Sequence, residues 1–143
     1  RRGCVPRRVM KVFLDTNVLV SAFTTRGLSA DVVRLILTEH ELLTGEVNLI
    51  ELERVLHKRM GVPTAQVELV LQLLRDQTII PRPKTPPDVK VRDPDDLWVL
   101  ASAFAGGAEV LVTGDQDLLV LHGTVPLPVL SPRGFWELVR RSE

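Results

Sequence analysis

Four acidic residues stand where they can act together: Asp15, Glu51, Asp96 and Asp115. Six of the nine aspartates fall between Asp88 and Asp117, so acidity is clustered along the chain. No Ser/His or Cys/His arrangement accompanies them. His40, His57 and His122 share no metal-ligand spacing and read as surface or packing residues. Several carboxylates without a nucleophile suit a hard divalent cation, because Mg²⁺ and Mn²⁺ favour carboxylate oxygen. Such a site acidifies water and clamps a phosphodiester for in-line displacement. The same acids without a cation repel one another.

Taken singly, each acid has an ordinary reading. Asp15 can cap a helix, and Asp93 and Asp96 can serve as helix cap and dipole partner. Asp115 and Asp117, in TGDQDLL, can form a turn. Glu51 can be a solvated helix charge. Only joint placement favours a metal site with Asp15, Asp96 and Asp115 as ligands.

The elements that must position these acids follow from the apolar pattern. Residues 9–14 are mostly apolar, as in a buried parallel strand, and end at Asp15. Residues 17–23 predict a short helix capped by Thr16. After Arg26-Gly27, Ser29 caps a second helix carrying Val32, Val33, Leu35, Ile36 and Leu37. A strand over 41–44 precedes an amphipathic helix over 46–60, with Leu49, Leu52, Val55 and Leu56 on one face. Glu51 borders that face, so it is expected to point along the sheet edge. Thr64 caps the next helix, whose apolar face is Val67, Val70, Leu71 and Leu74, and residues 78–80 form a strand.

Residues 81–93 hold four prolines and read as a surface loop. Asp93-Pro94-Asp95-Asp96 is a helix start, with Asp93 as N-cap and acids in the first turn. That helix runs to Ala105, and Trp98 and Phe104 on it are expected to pack the core. A strand over 110–112, a turn over 114–117 and a short helical piece over 118–121 follow. A strand over 127–130 leads to a final helix, capped by Ser131-Pro132 and running through Arg140. Alternating strands and helices predict a three-layer α/β/α sandwich with a mainly parallel central sheet. In such sheets ligands bind at the carboxyl ends of the strands, where Asp15, Asp96 and Asp115 fall.

Length and composition agree. The chain has 143 residues, 45% hydrophobic and 25% charged, which suits one soluble globular domain. Lys plus Arg equals Asp plus Glu at 18 each, so bulk charge predicts neither nucleic-acid nor membrane attraction. The balance hides a basic arm: Arg1, Arg2, Arg7, Arg8 and Lys11. Residues 1–9 read as a poorly ordered extension before Met10, and residues 10–143 as the single domain. The lone Cys4 excludes an internal disulfide framework and suits a reducing cytoplasm. No membrane span or signal peptide is visible, so a cytoplasmic protein is expected.

The motifs VFLDTNVLVSAF, the EL within LIELERVL, RDPDDLWVLASA and VLVTGDQDLL occur in the order and spacing of the PIN-domain family. Over residues 10–140 the chain resembles the toxin-type, VapC-like members of prokaryotic toxin–antitoxin pairs. The resemblance implies an α/β/α domain and a Mg²⁺- or Mn²⁺-dependent endoribonuclease site. Carried over by position, its four acids are Asp15, Glu51, Asp96 and Asp115. Thr113 and Asn17 match supporting polar residues, and Asp93 and Asp117 are neighbouring second acids. Leu97 departs from the pattern, standing where close relatives often carry another acid.

Other classes fit less well. A haloacid-dehalogenase-type phosphatase needs a second Asp two residues after the first, and Asn17 occupies that place. A response-regulator receiver wants an acidic pair after its first strand. A housekeeping RNA-processing nuclease would use the same four acids, and a PIN-like module that only binds RNA or protein is the non-enzyme alternative. The toxin-type resemblance implies an RNA substrate and an antitoxin partner. Apolar faces at residues 29–38 and 64–75 either bury against the sheet or leave surface for a homodimer, whose Arg26, Arg133, Arg140 and Arg141 would line an RNA path.

Overall fold

The computed structural model describes residues 8–141. Most of the expected N-terminal extension, with Cys4, lies outside the described residues. The sheet is built from β1 (Lys11–Leu14), β2 (Glu41–Gly45), β3 (Thr78–Ile80), β4 (Val110–Val112) and β5 (Val129–Leu130). All pairings are parallel, in the order β3-β2-β1-β4-β5. Around it lie α1 (Thr16–Thr24), α2 (Leu28–Glu39), α3 (Glu46–Arg54), α4 (Thr64–Arg75), α5 (Asp95–Ala105), α6 (Gln116–Leu119) and α7 (Pro132–Arg141). Among the described residues, no helix is long and apolar enough to cross a membrane.

Strand alternation splits the core into two layers. Val12, Leu14, Leu42, Val110 and Val112 face one side, packed with buried residues of α1, α2, α3, α4 and α7. Phe13, Leu43, Leu111 and Val129 face the other, against Leu100 and Ala103 of α5 and Leu118 of α6. Both faces are covered, which is why the strands read as nearly continuous apolar runs. On α2 and α4 the faces carrying Val32, Ile36, Val67, Leu71 and Leu74 are spent on this core. Leu69 and Leu73 of α4 and Ile50 of α3 stay exposed.

Several boundaries differ from the sequence pattern. Asp15, not Thr16, caps α1, its carboxylate accepting from the Thr16 N–H. α2 begins at Leu28 rather than after Ser29, because the chain reverses at Gly27 with φ 145°, a backbone geometry that favours glycine. Pro63 precedes α4, and Thr64 is its first residue, with no side-chain cap. The helix expected over 46–60 is α-helical only to Arg54. It continues as one π-helical turn, Val55–Arg59. α6 starts two residues earlier than expected because Asp115 caps it, accepting from the Asp117 N–H. The last strand is confined to Val129–Leu130. Trp98 is half-buried outside both core layers, with the Arg82 guanidinium 4.3 Å from its ring centroid. It stands two residues before the core-facing Leu100 and meets Arg82 of the proline-rich loop.

Candidate functional site

The chain leaves β1 toward β2 on one side and later returns to place β4 on the other. That reversal opens a crevice at the carboxyl ends of β1 and β4, the place where open α/β sheets bind ligands. Asp15 follows β1, and Thr113 and Asp115 follow β4. A cavity of about 690 Å³ lies here, and Asp15, Glu51, Asp96 and Asp115 all line it.

Asp15 is buried, and its carboxylate is the hub of a hydrogen-bond network. Oδ1 accepts from the Thr16 N–H at 2.8 Å and from the Asn48 amide at 3.3 Å. Oδ2 accepts from the Thr113 hydroxyl at 2.7 Å and the Asn17 amide at 3.2 Å. The Thr113 oxygen in turn accepts from the Asp115 N–H at 3.0 Å, and Asn17 Oδ1 from the Gly114 N–H at 2.9 Å. The two supporting residues thus stitch the end of β1 to the loop after β4.

Asn48 was not singled out in the sequence, yet it is buried and ties α3 to the site. Its amide donates to Asp15 and to Thr16 Oγ1, and its Oδ1 accepts from the Gly45 N–H at 3.2 Å. A Cβ at Gly45 would stand 2.6 Å from Asn48 Oδ1, so glycine is what lets the two approach. A polar residue among the apolar positions that begin α3 was the available signal.

Asp96 is presented by the first turn of α5, where Asp93 Oδ1 accepts from the Asp95 N–H at 3.0 Å. The N-cap is Pro94 rather than the expected Asp93, whose side chain instead holds the Asp95 N–H from one residue further back, and Asp93 itself stays exposed at the rim of the cavity. Asp96 Oδ2 is buried with no hydrogen-bond partner. Asp96, Asp115 and Asp117 each offer an oxygen within 4.8 Å of the others. Asp117 also faces Arg92 at 3.9 Å. Glu51 is exposed and paired with Arg54 at 3.0 Å on its own helix, while still lining the cavity.

Electrostatics bear the mark of this crowding. Burial pushes the Asp15 carboxyl up; the Thr113 and Thr16 hydrogen bonds oppose this, and the charges of Asp115 and Glu51 add to it. Asp96 is raised to about 7, first by burial and then by the adjacent Asp115, with Asp93 and Asp15 contributing. An all-oxygen donor set with an unpartnered buried oxygen fits a hard divalent cation. Among the basic residues considered for an RNA path, none of Arg26, Arg133, Arg140 or Arg141 lines the cavity. Arg59, which the sequence pattern did not single out, does.

Comparisons with known proteins bear on the family and the fold. The family model described as PIN domain matches residues 11–117. No curated protein sequence matches. A solved structure of VapBC2 from Rickettsia felis, bound to a DNA fragment from its promoter, contains a chain similar to this one, with TM-score 0.60 and 17% identity over 85% of this chain and 98% of that one. PAE2754 from Pyrobaculum aerophilum is similar at TM-score 0.59 and 19% identity, over 93% of this chain and 89% of that one. At such identities the likeness concerns the fold.

Proposed function

The chain belongs to the PIN-domain family, whose members are generally nucleases, and on that premise we propose that it is a Mg²⁺- or Mn²⁺-dependent endoribonuclease. The observation that carries the reading is the convergence of Asp15, Glu51, Asp96 and Asp115 on one cavity, with the Asp96 Oδ2 buried and unpartnered. Asp15, Asp96 and Asp115 would hold the cation, Asp117 standing close enough to join, and Glu51 completes the acidic set. When bound, such a cation offsets phosphate charge and acidifies water for attack on phosphorus. Asp15 is held in one orientation by Thr113, Asn17, Asn48 and the Thr16 N–H, and a cation would take the place of one of these four bonds. Asp96, raised to about 7, releases its proton as positive charge arrives. No residue of the chain is required to form a covalent intermediate.

The test is cleavage of single-stranded RNA by the purified chain. Activity in Mg²⁺ or Mn²⁺ that EDTA abolishes, and that Asp15→Asn removes, supports the reading. Full activity in EDTA overturns it. Within this reading the biological role is that of the toxin of a toxin–antitoxin pair. The likeness to a chain of the Rickettsia felis VapBC2 complex supports it and an antitoxin partner; a second copy of the chain is a further expected partner, as the commonest homo-oligomer is a two-fold dimer. Growth arrest on expression, relieved by the product of an adjacent short gene, tests the role. Sedimentation at micromolar concentration tests the homodimer.

A further inference from the structure

We infer that Arg59 is the phosphate-positioning residue of this site, holding the backbone of the nucleic acid whose cleavage is proposed above; the inference rests on that reading. Six carboxylates line the cavity, and Arg59 is the only basic residue among its described lining. Polyanionic substrate entering here meets repulsion that a cation at one point offsets only locally, so a second positive group on the wall is needed to hold the flanking phosphate. Among the described residues no ion pair or hydrogen bond engages the Arg59 side chain, whereas Arg54, one turn earlier, is bound to Glu51. The one arginine that lines the cavity is thus unpaired among the described residues.

The backbone explains how an arginine reaches this wall. Leu49, Leu52 and Leu56 are buried at intervals of three and four residues. A regular α-helix would carry residue 59 onto the same apolar stripe. Instead the Met60 N–H donates to the Val55 carbonyl, five residues back, and the turn Val55–Arg59 is π-helical. On a 3.6-residue helix each step of four residues drifts by about 40°. The wider turn offsets that drift over the step from Val55 to Arg59, and Glu51, Val55 and Arg59 all line the cavity. Single π turns of this kind occur frequently at functional sites. A guanidinium grips phosphate through two parallel N–H donors, which fixes orientation as well as charge.

The experiment measures binding of a fluorescent, mixed-sequence single-stranded RNA by anisotropy, in the Asp96→Asn background where cleavage is suppressed. Adding Arg59→Ala is expected to weaken binding about tenfold and to reduce the slope of log affinity against log salt by about 1. Arg59→Lys recovers part of the affinity, since charge returns without the bidentate fork. In the otherwise native chain, Arg59→Ala raises KM more than it lowers kcat. Unchanged affinity and salt slope, in a chain that still cleaves RNA, overturn the role of Arg59 and leave the nuclease reading standing. Absence of both RNA binding and cleavage in chains retaining Arg59 removes the two together.

Discussion

Asp96 and Glu109 are carboxylates at opposite edges of the same sheet, and their surroundings are reversed. Glu109 precedes β4 at the amino edge, where Oε1 accepts from the Lys11 N–H at 3.0 Å and Oε2 pairs with Arg8. The Lys11 hydrogen bond, with the Arg8 charge, holds it below the usual carboxylate range. Asp96 lies at the carboxyl edge, buried against Asp115 with one oxygen unpartnered, and is raised to about 7. At the amino edge the fold supplies donors to the acid it uses. At the carboxyl edge it gathers acids and leaves Asp96 without a donor of its own, so its charge is met by a bound proton or by a cation from outside.

The contrast can be broken most strongly at Asp96. Asp96→Asn should lower cleavage about 10²- to 10³-fold, the several kcal/mol attributed to metal-assisted charge stabilisation. The same variant should melt higher than its parent in EDTA near neutral pH, because a repulsive buried charge has gone. A lower melting temperature would show that the carboxylate stabilises the apo fold after all. Next comes Thr113→Val, which removes the hydroxyl that donates to Asp15 and accepts from the Asp115 N–H. A 10- to 100-fold loss of activity or metal affinity is expected, as for residues that orient ligands, and isothermal titration with Mn²⁺ measures the affinity directly.

A smaller effect separates the two edges by pH. The folded chain keeps a proton on Asp96 up to about 7, whereas the unfolded chain has released it near 3.8. Across that interval the folded state binds more protons, so raising pH lowers apo stability, and the loss is complete above the upper value. Melting in EDTA between about pH 5 and about pH 8 should therefore show a falling temperature, which Mg²⁺ reverses most at the alkaline end. Glu109 has the opposite sign: its stabilisation is present above its usual range and is lost as pH falls through its lowered value. Because the pair with Arg8 is largely exposed, Glu109→Gln should cost no more than about 1 kcal/mol and leave cleavage unaltered. A change in cleavage would mean that the two edges are coupled.

The readable parts were those whose signal is local. Residues 9–14, 78–80 and 110–112 are mostly apolar between polar punctuation, and strands lie within them, the first confined to Lys11–Leu14. Asp15 and Asp115 ended or followed such strands, so the sheet rule alone placed them at one edge. What stayed hidden depends on register around a helix or on long-range hydrogen bonds. The π turn at Val55–Arg59 has no sequence signature in a run that fits a 3.6-residue period, and Arg59 was hidden with it. Asn48 acts through a bond to Asp15, 33 residues away, which no spacing pattern announces. Caps were misplaced by one residue at Thr16 and Thr64, where a competent hydroxyl stood beside the true boundary.

The hydrogen bond from Thr113 to Asp15 spans 98 positions of the chain. During synthesis β1, α1 and β2 emerge early and can pair, but the partner strand β4 is made only in the last third. Until it docks, Asp15 lacks its shortest hydrogen bond and the cavity lacks Asp115. A partly made chain therefore carries only part of the acid cluster. On the proposed nuclease reading, the order of translation would keep the growing polypeptide harmless to the message from which it is being read.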